Sequence, residues 1–201
     1  MKKTITIIIF ISILIFFICV NRTEALFIES TIDSKFYLVR NINDKIDAAN
    51  TLATIKHNLS KLTLYLRSKI NETKKNNIVS PILEYEPYVD RIYNRIIHTE
   101  YKENSTDNNY TSYSVNKGEE LVFCIRSKSD NNIHDINLLM YVAIHELAHI
   151  GCPEIGHTAL FNKINKFLLE NSMKIGIYKY KNYSNYPIEY CGMNLNTNIL
   201  D

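Results

Sequence analysis

His145, Glu146 and His149 form an HExxH motif at the start of the stretch HELAHIGCPEIGHTALF, and His157 follows within it. On a helix, residues i and i+4 share one face, so His145 and His149 can present their imidazoles to a single Zn²⁺. Glu146 stands beside the metal and is placed to take a proton from a metal-activated water. The chemistry this pattern predicts is hydrolysis, with His157 as third ligand, an open fourth position and Glu146 as general base. Glu154, Glu170 and Glu189 are the rival third ligands, Glu170 because a following helix can bring a carboxylate to the metal.

Such a site needs a helix with an apolar back. At 100° per residue, Leu139, Ala143, Leu147 and Ile150 fall opposite His145 on a helix spanning 136–150, with Asp135 as its N-cap. Gly151 and then Pro153 predict the stop that turns the chain back toward the site. A second helix is predicted over 158–172, its stripe made of Leu160, Phe161, Ile164, Phe167 and Leu168. Ahead of the motif, alternation over 110–126 around the turn Asn116-Lys117-Gly118-Glu119 predicts a β-hairpin, whose strand edge suits an extended peptide. Beyond the second helix, 175–178 reads as a short strand and 186–193 as an extended stretch and turn. In that turn Tyr190 is the candidate oxyanion donor and Met193 the candidate floor beneath the metal. The remaining histidines, His57, His98 and His134, are isolated and read as non-ligands.

The rest of the chain bounds the function. It has 201 residues, 46% hydrophobic and 22% charged, which is the make-up of a globular protein. A net charge of +2 without basic blocks argues against nucleic-acid binding. Four cysteines, Cys19, Cys124, Cys152 and Cys191, show no CxxC pair, and no disulfide framework is inferred. Cys152, close to the motif, reads as a buried structural thiol. An apolar stripe including Ile46, Leu52, Ile55, Leu59, Leu62 and Leu66 predicts a helix over 44–70, ended by a polar loop at 71–77. Ser80-Pro81 starts a further element, 88–97 reads as a short helix and 100–109 as a polar loop, while 27–43 has no clear period. The division expected is 1–25 as a hydrophobic leader, 26–109 as a mainly helical region and 110–201 as the catalytic core. Residues 4–20 are uncharged and follow Lys2 and Lys3. They are expected to form a single-pass membrane anchor, or a signal peptide cleaved near Ala25 that would leave the domain secreted. Six Asn-x-Ser/Thr sequons, at Asn21, Asn58, Asn71, Asn104, Asn109 and Asn182, are compatible with export.

The hairpin with KGEELVFCIRSK, the helix NLLMYVAIHELAHI, the step EIGHTALF and the YCGM turn resemble the WLM and SprT-like zinc peptidases, over residues 110–193. The likeness is nearest to membrane-anchored WLM-type proteins of large DNA viruses. It implies an α+β, zincin-like domain, Zn²⁺ held by His145, His149 and His157, Glu146 as general base, and a peptide or protein substrate. The gap from His149 to His157 is longer than in cellular WLM proteins, and Ile155 stands where a metzincin has its third histidine. Cellular relatives digest proteins crosslinked to DNA, a role the leader and low charge argue against here; a virion or host membrane is the location expected instead. The alternative is a membrane or virion protein with a structural zinc site and no turnover.

Overall fold

The computed structural model describes residues 9–13, 24–105 and 111–200. It is an α+β fold, as the sequence predicts: among the described residues from 24 onward lie one mixed sheet, four α-helices packed together, and a small hairpin. The first two strands, β1 (Ala25–Glu29) and β2 (Phe36–Arg40), pair antiparallel. A long helix, α1 (Lys45–Lys75), follows, then a 3₁₀ turn over Pro81–Tyr85 and helix α2 (Glu86–Ile96). Next come β3 (Glu100–Glu103), β4 (Tyr113–Val115) and β5 (Glu120–Phe123). Helices α3 (Ile136–Gly151) and α4 (Ala159–Lys174) precede the hairpin β6 (Ile188–Tyr190) and β7 (Met193–Leu195).

The sheet order is β1-β2-β3-β5-β4. Its inner pairs, β2 with β3 and β3 with β5, are parallel, and β4 closes antiparallel on β5. Strands from both sides of residue 110 thus share one sheet. The α1 stripe packs beneath it, with Leu52, Ile55, Leu59, Leu62 and Leu66 buried. Ile46, expected in the same stripe, is exposed in the first turn, and the polar segment expected as a loop at 71–77 remains helical through Lys75.

Three strands ahead of the motif were not predicted. β1 and β2 lie where no period stands out: β1 is an edge strand whose faces are unevenly covered, and β2 alternates in burial over only five residues, with apolar residues on both faces. β3 lies in the segment read as a polar loop, and its sequence EYKE would seldom be taken for an inner strand. Partners on neighbouring elements satisfy its charges. Lys102 Nζ lies 2.8 Å from Glu100 and 2.9 Å from Glu120 on β5. The buried Glu103 accepts from Arg126 Nε at 2.7 Å and from the Arg40 backbone N–H at 2.8 Å. Arg126 also pairs with Asp44 at the start of α1. The predicted strand at 175–178 does not form: α4 runs to Lys174, and Gly176 in the left-handed region (φ +73°) turns the chain away.

The cysteines correct a second expectation. Cys124, just past β5, and Cys191, in the β6–β7 turn, form a disulfide, with Cα atoms 6.2 Å apart. Cys152 is free and buried, as a structural thiol would be. Cys19 lies outside the described residues, as do the sequon asparagines Asn21 and Asn109.

The membrane anchor expected for residues 4–20 is not supported. Among the described residues, no helix is long and apolar enough to cross a membrane. Only 9–13 of that run are described, as a short helical segment. A single-pass anchor would need about 20 apolar residues in continuous helix.

Candidate metal centre

Helix α3 is built as the motif requires. Asp135 caps it, accepting the Asn137 backbone N–H at 2.9 Å. Leu139, Ala143, Leu147 and Ile150 are all buried, fixing which face the histidines turn outward. Gly151 is the last helical residue, and Cys152 the C-cap. The glycine is needed for close approach: a Cβ there would lie 3.0 Å from Ile92 Cδ1 and 3.3 Å from the Tyr88 carbonyl of α2. The chain then turns through Gly156 (φ +83°) and brings His157 back over the helix. Thr158 starts α4, its Oγ accepting the Phe161 N–H at 3.2 Å.

The three histidines meet. Nε2 of His157 lies 2.9 Å from Nε2 of His145 and 3.2 Å from Nε2 of His149. Ligand atoms of all three lie within 4.8 Å of one another. A tetrahedral Zn²⁺ with bonds near 2.05 Å has ligand–ligand edges of about 3.3 Å, so the set fits such an ion after small ring adjustments. Burial, and then the neighbouring imidazoles, hold His145 down to about 3. His149 is held down to about 4 by burial, then by His157 and Lys117. Both rings are therefore neutral at physiological pH and keep lone pairs available for a metal. Glu154, Glu170 and Glu189 are not in the cluster. Glu154 instead accepts from the Thr158 hydroxyl, and Glu189 from the Gly192 N–H at 2.5 Å. His57, His98 and His134 also lie outside it.

Beneath the cluster lies a residue that the helical stripe marked only as core. Phe161, 1% exposed, stacks on His149 with centroids 4.2 Å apart. It meets His145 and His157 edge-on, each at 4.9 Å. The floor under the imidazoles is thus Phe161. Met193, expected there, sits 56% exposed on the wall of the cleft.

Glu146 is 5% exposed and faces the same cleft. Burial pushes its carboxyl up to about 7. Tyr190 also lines the cleft, its hydroxyl 2.6 Å from Ser112 Oγ. Ser112 Oγ also accepts the Cys124 backbone N–H at 3.0 Å. Either hydroxyl can be the donor in the Tyr190–Ser112 contact, and with Ser112 as donor the Tyr190 O–H is left to donate into the cleft. The cleft itself has a volume of ≈ 670 Å³. Residues 111–114, running into the edge strand β4, form one wall, and Tyr141, Val142, Ile155 and Leu195 supply apolar surface.

No family model matches the chain. Among solved structures, crystal structures of Wss1 from Saccharomyces cerevisiae are similar at a TM-score of 0.46, with 20% identity over 68% of this chain and 86% of that one. Uncharacterized protein 136R of Invertebrate iridescent virus 6 is 41% identical over 69 residues, 33% of this chain and 38% of its own length. Uncharacterized protein R325 of Acanthamoeba polyphaga mimivirus is 43% identical over 188 residues, 93% of this chain and 91% of its own length. Likeness of that extent along both chains places this protein in the same family as the mimivirus protein R325.

Proposed function

We propose that the chain is a zinc-dependent peptidase of the WLM type, with His145, His149 and His157 as ligands. The observation that carries this reading is the conjunction of three convergent imidazoles with a buried carboxyl, all facing an open cleft. A structural zinc site needs neither the cleft nor Glu146. A zinc ion held there would supply Lewis acidity, polarising a carbonyl and acidifying water.

The protein's own groups do the rest. Glu146, poised near neutrality, takes the proton from the attacking water and returns it to the leaving amine. Tyr190 donates its O–H to the carbonyl oxygen as negative charge develops there. The edge strand β4 holds the substrate backbone in extended form, since among the described residues no further strand pairs beyond it. Tyr141, Val142 and Leu195 receive an apolar side chain next to the scissile bond. The substrate is a peptide or unfolded protein segment, and a net charge of +2 gives no reason to expect nucleic acid.

The test compares the full chain with Glu146→Gln. Both should bind one zinc, and the variant should lose about 10²–10⁴-fold in peptide cleavage. Stoichiometric zinc without Glu146-dependent cleavage across a broad peptide library would overturn the peptidase reading.

A further inference from the structure

His157 is the ligand with the least support from its own element. It sits exposed in the loop between α3 and α4, next to a glycine in the left-handed region. Yet the loop is held from outside. Lys117, in the β4–β5 turn, donates from Nζ to the Cys152 carbonyl at 3.0 Å and to the Glu154 carbonyl at 2.6 Å. One carbonyl belongs to the C-cap of α3 and the other to the loop itself, so the ammonium bridges the ligand-bearing helix and the ligand-bearing loop. A cation at a helix C-terminus also meets the negative end of the helix dipole.

The turn that carries Lys117 is itself fixed. Asn116, Lys117 and Gly118 all have positive φ (46°, 57° and 108°). Arg95 of α2 donates from one Nη1 to the Asn116 carbonyl at 2.9 Å and to the Lys117 carbonyl at 2.7 Å. The Thr99 hydroxyl donates to the Gly118 carbonyl at 2.7 Å. Gly118 lies against Ile150 of α3, where a Cβ would come within 3.0 Å. A chain of contacts therefore runs from α2 through the turn and Lys117 to the loop of His157. On charge alone Lys117 is an odd neighbour for a divalent cation, since it repels one. Its placement makes sense as a mechanical tie.

We propose that Lys117 is the positioning residue for His157, tying loop 152–158 to the β4–β5 turn and so setting how tightly the three imidazoles hold a metal ion. This rests on the metal reading above, but not on turnover.

The two roles of Lys117 predict opposite signs. As a mere positive charge, its removal would tighten metal binding; as a tie, its removal loosens it. Zinc and cobalt dissociation constants are measured on the full chain by competition with a chromophoric chelator. Lys117→Met should weaken both by about tenfold or more, the range for outer-shell partners of metal ligands. Lys117→Arg, which can still reach two carbonyls, should recover most of the loss. In a His157→Ala background, Lys117→Met should produce no further weakening, because the tie then holds no ligand. Unchanged or tighter metal binding by Lys117→Met, or an equal loss in the His157→Ala background, overturns the proposal. Should Lys117→Met lose its helical circular dichroism, Lys117→Gln, too short to span both carbonyls, carries the same test. Failure of the wild-type chain to bind either metal would instead overturn the metal reading itself.

Discussion

Replacing Phe161 by leucine separates two things that one aromatic ring does. The ring is core, at 1% exposure, and it is also the surface on which three imidazoles rest, at 4.2, 4.9 and 4.9 Å. Leucine keeps the apolar character and much of the volume, so the packing cost alone stays below about 1.5 kcal/mol. Losing ring–ring contacts worth about 0.5–1.5 kcal/mol each adds to this. Since the imidazoles are partly wetted, values at the low end apply, and the metal-free protein should lose about 2–3 kcal/mol in total. The imidazoles then sample more orientations, and metal affinity should fall about tenfold. Urea unfolding in chelator gives the first quantity. The second is read from the extra stability conferred by zinc at a fixed free concentration. At a hundred times the wild-type Kd that gain is about 2.7 kcal/mol, and a tenfold weaker site reduces it by about 1.3 kcal/mol. If Phe161→Leu lowers stability in chelator but leaves the zinc increment unchanged, the ring fills space without aligning the ligands, and the reasoning fails.

Three further outcomes are expected. Cys191→Ser opens a disulfide that closes a 67-residue separation, for which chain entropy gives an upper figure of about 4 kcal/mol, measurable by denaturant unfolding with and without reductant. Gly151→Ala drives a methyl to 3.0 Å from Ile92 and should cost about 1–3 kcal/mol, while Gly156→Ala, with no neighbour within 4 Å, meets only the strain of its positive φ. The hydrogen bond from Arg126 holds the Asp44 carboxyl below its usual range. A depressed acid stabilises the fold above its unfolded pKa of about 3.9, and the benefit is lost as pH falls through the folded value. Thermal melts between about pH 5 and pH 3 should therefore drop more steeply for wild type than for Asp44→Asn. The side chain is 38% exposed, which limits the difference to below about 1 kcal/mol.

What could be read from the sequence follows from how local each feature is. HExxH encodes its geometry in a four-residue spacing, and the backing of Leu139, Ala143, Leu147 and Ile150 is periodic on the same helix. His157 could be named because the helix stop at Gly151 leaves the chain only a short return path. Tyr190 could be nominated, but its bond to Ser112 brings together residues on two distant hairpins. The roles of Phe161 and Lys117 were hidden for the same reason: a stripe residue and a turn lysine acquire them only once α4 and the β4–β5 turn are docked on α3. β3 escaped because its charges look like solvent-facing loop until Arg126 and Glu120 are placed beside them. The pairing of Cys124 with Cys191 was equally out of reach, since three thiols outside the leader give no arithmetic that selects two.

The parallel pairing at the middle of the sheet bears on how the chain reaches this state. Leu38 on β2 meets Lys102 on β3 only after all of α1 and α2 have folded back between them. Contacts of that sequence separation form late, because the intervening loop entropy must be overcome before any hydrogen bond rewards it. Until then β3 and β5 present an unpaired edge. A fragment beginning near residue 110 would keep that edge permanently, with the three clustered histidines present but no β3 beside β5. Such a fragment is expected to self-associate through strand edges rather than persist as a small soluble domain. A unit free of that exposed edge therefore includes β3 beside β5, and β2 and β1 cover the far edge of β3 in turn.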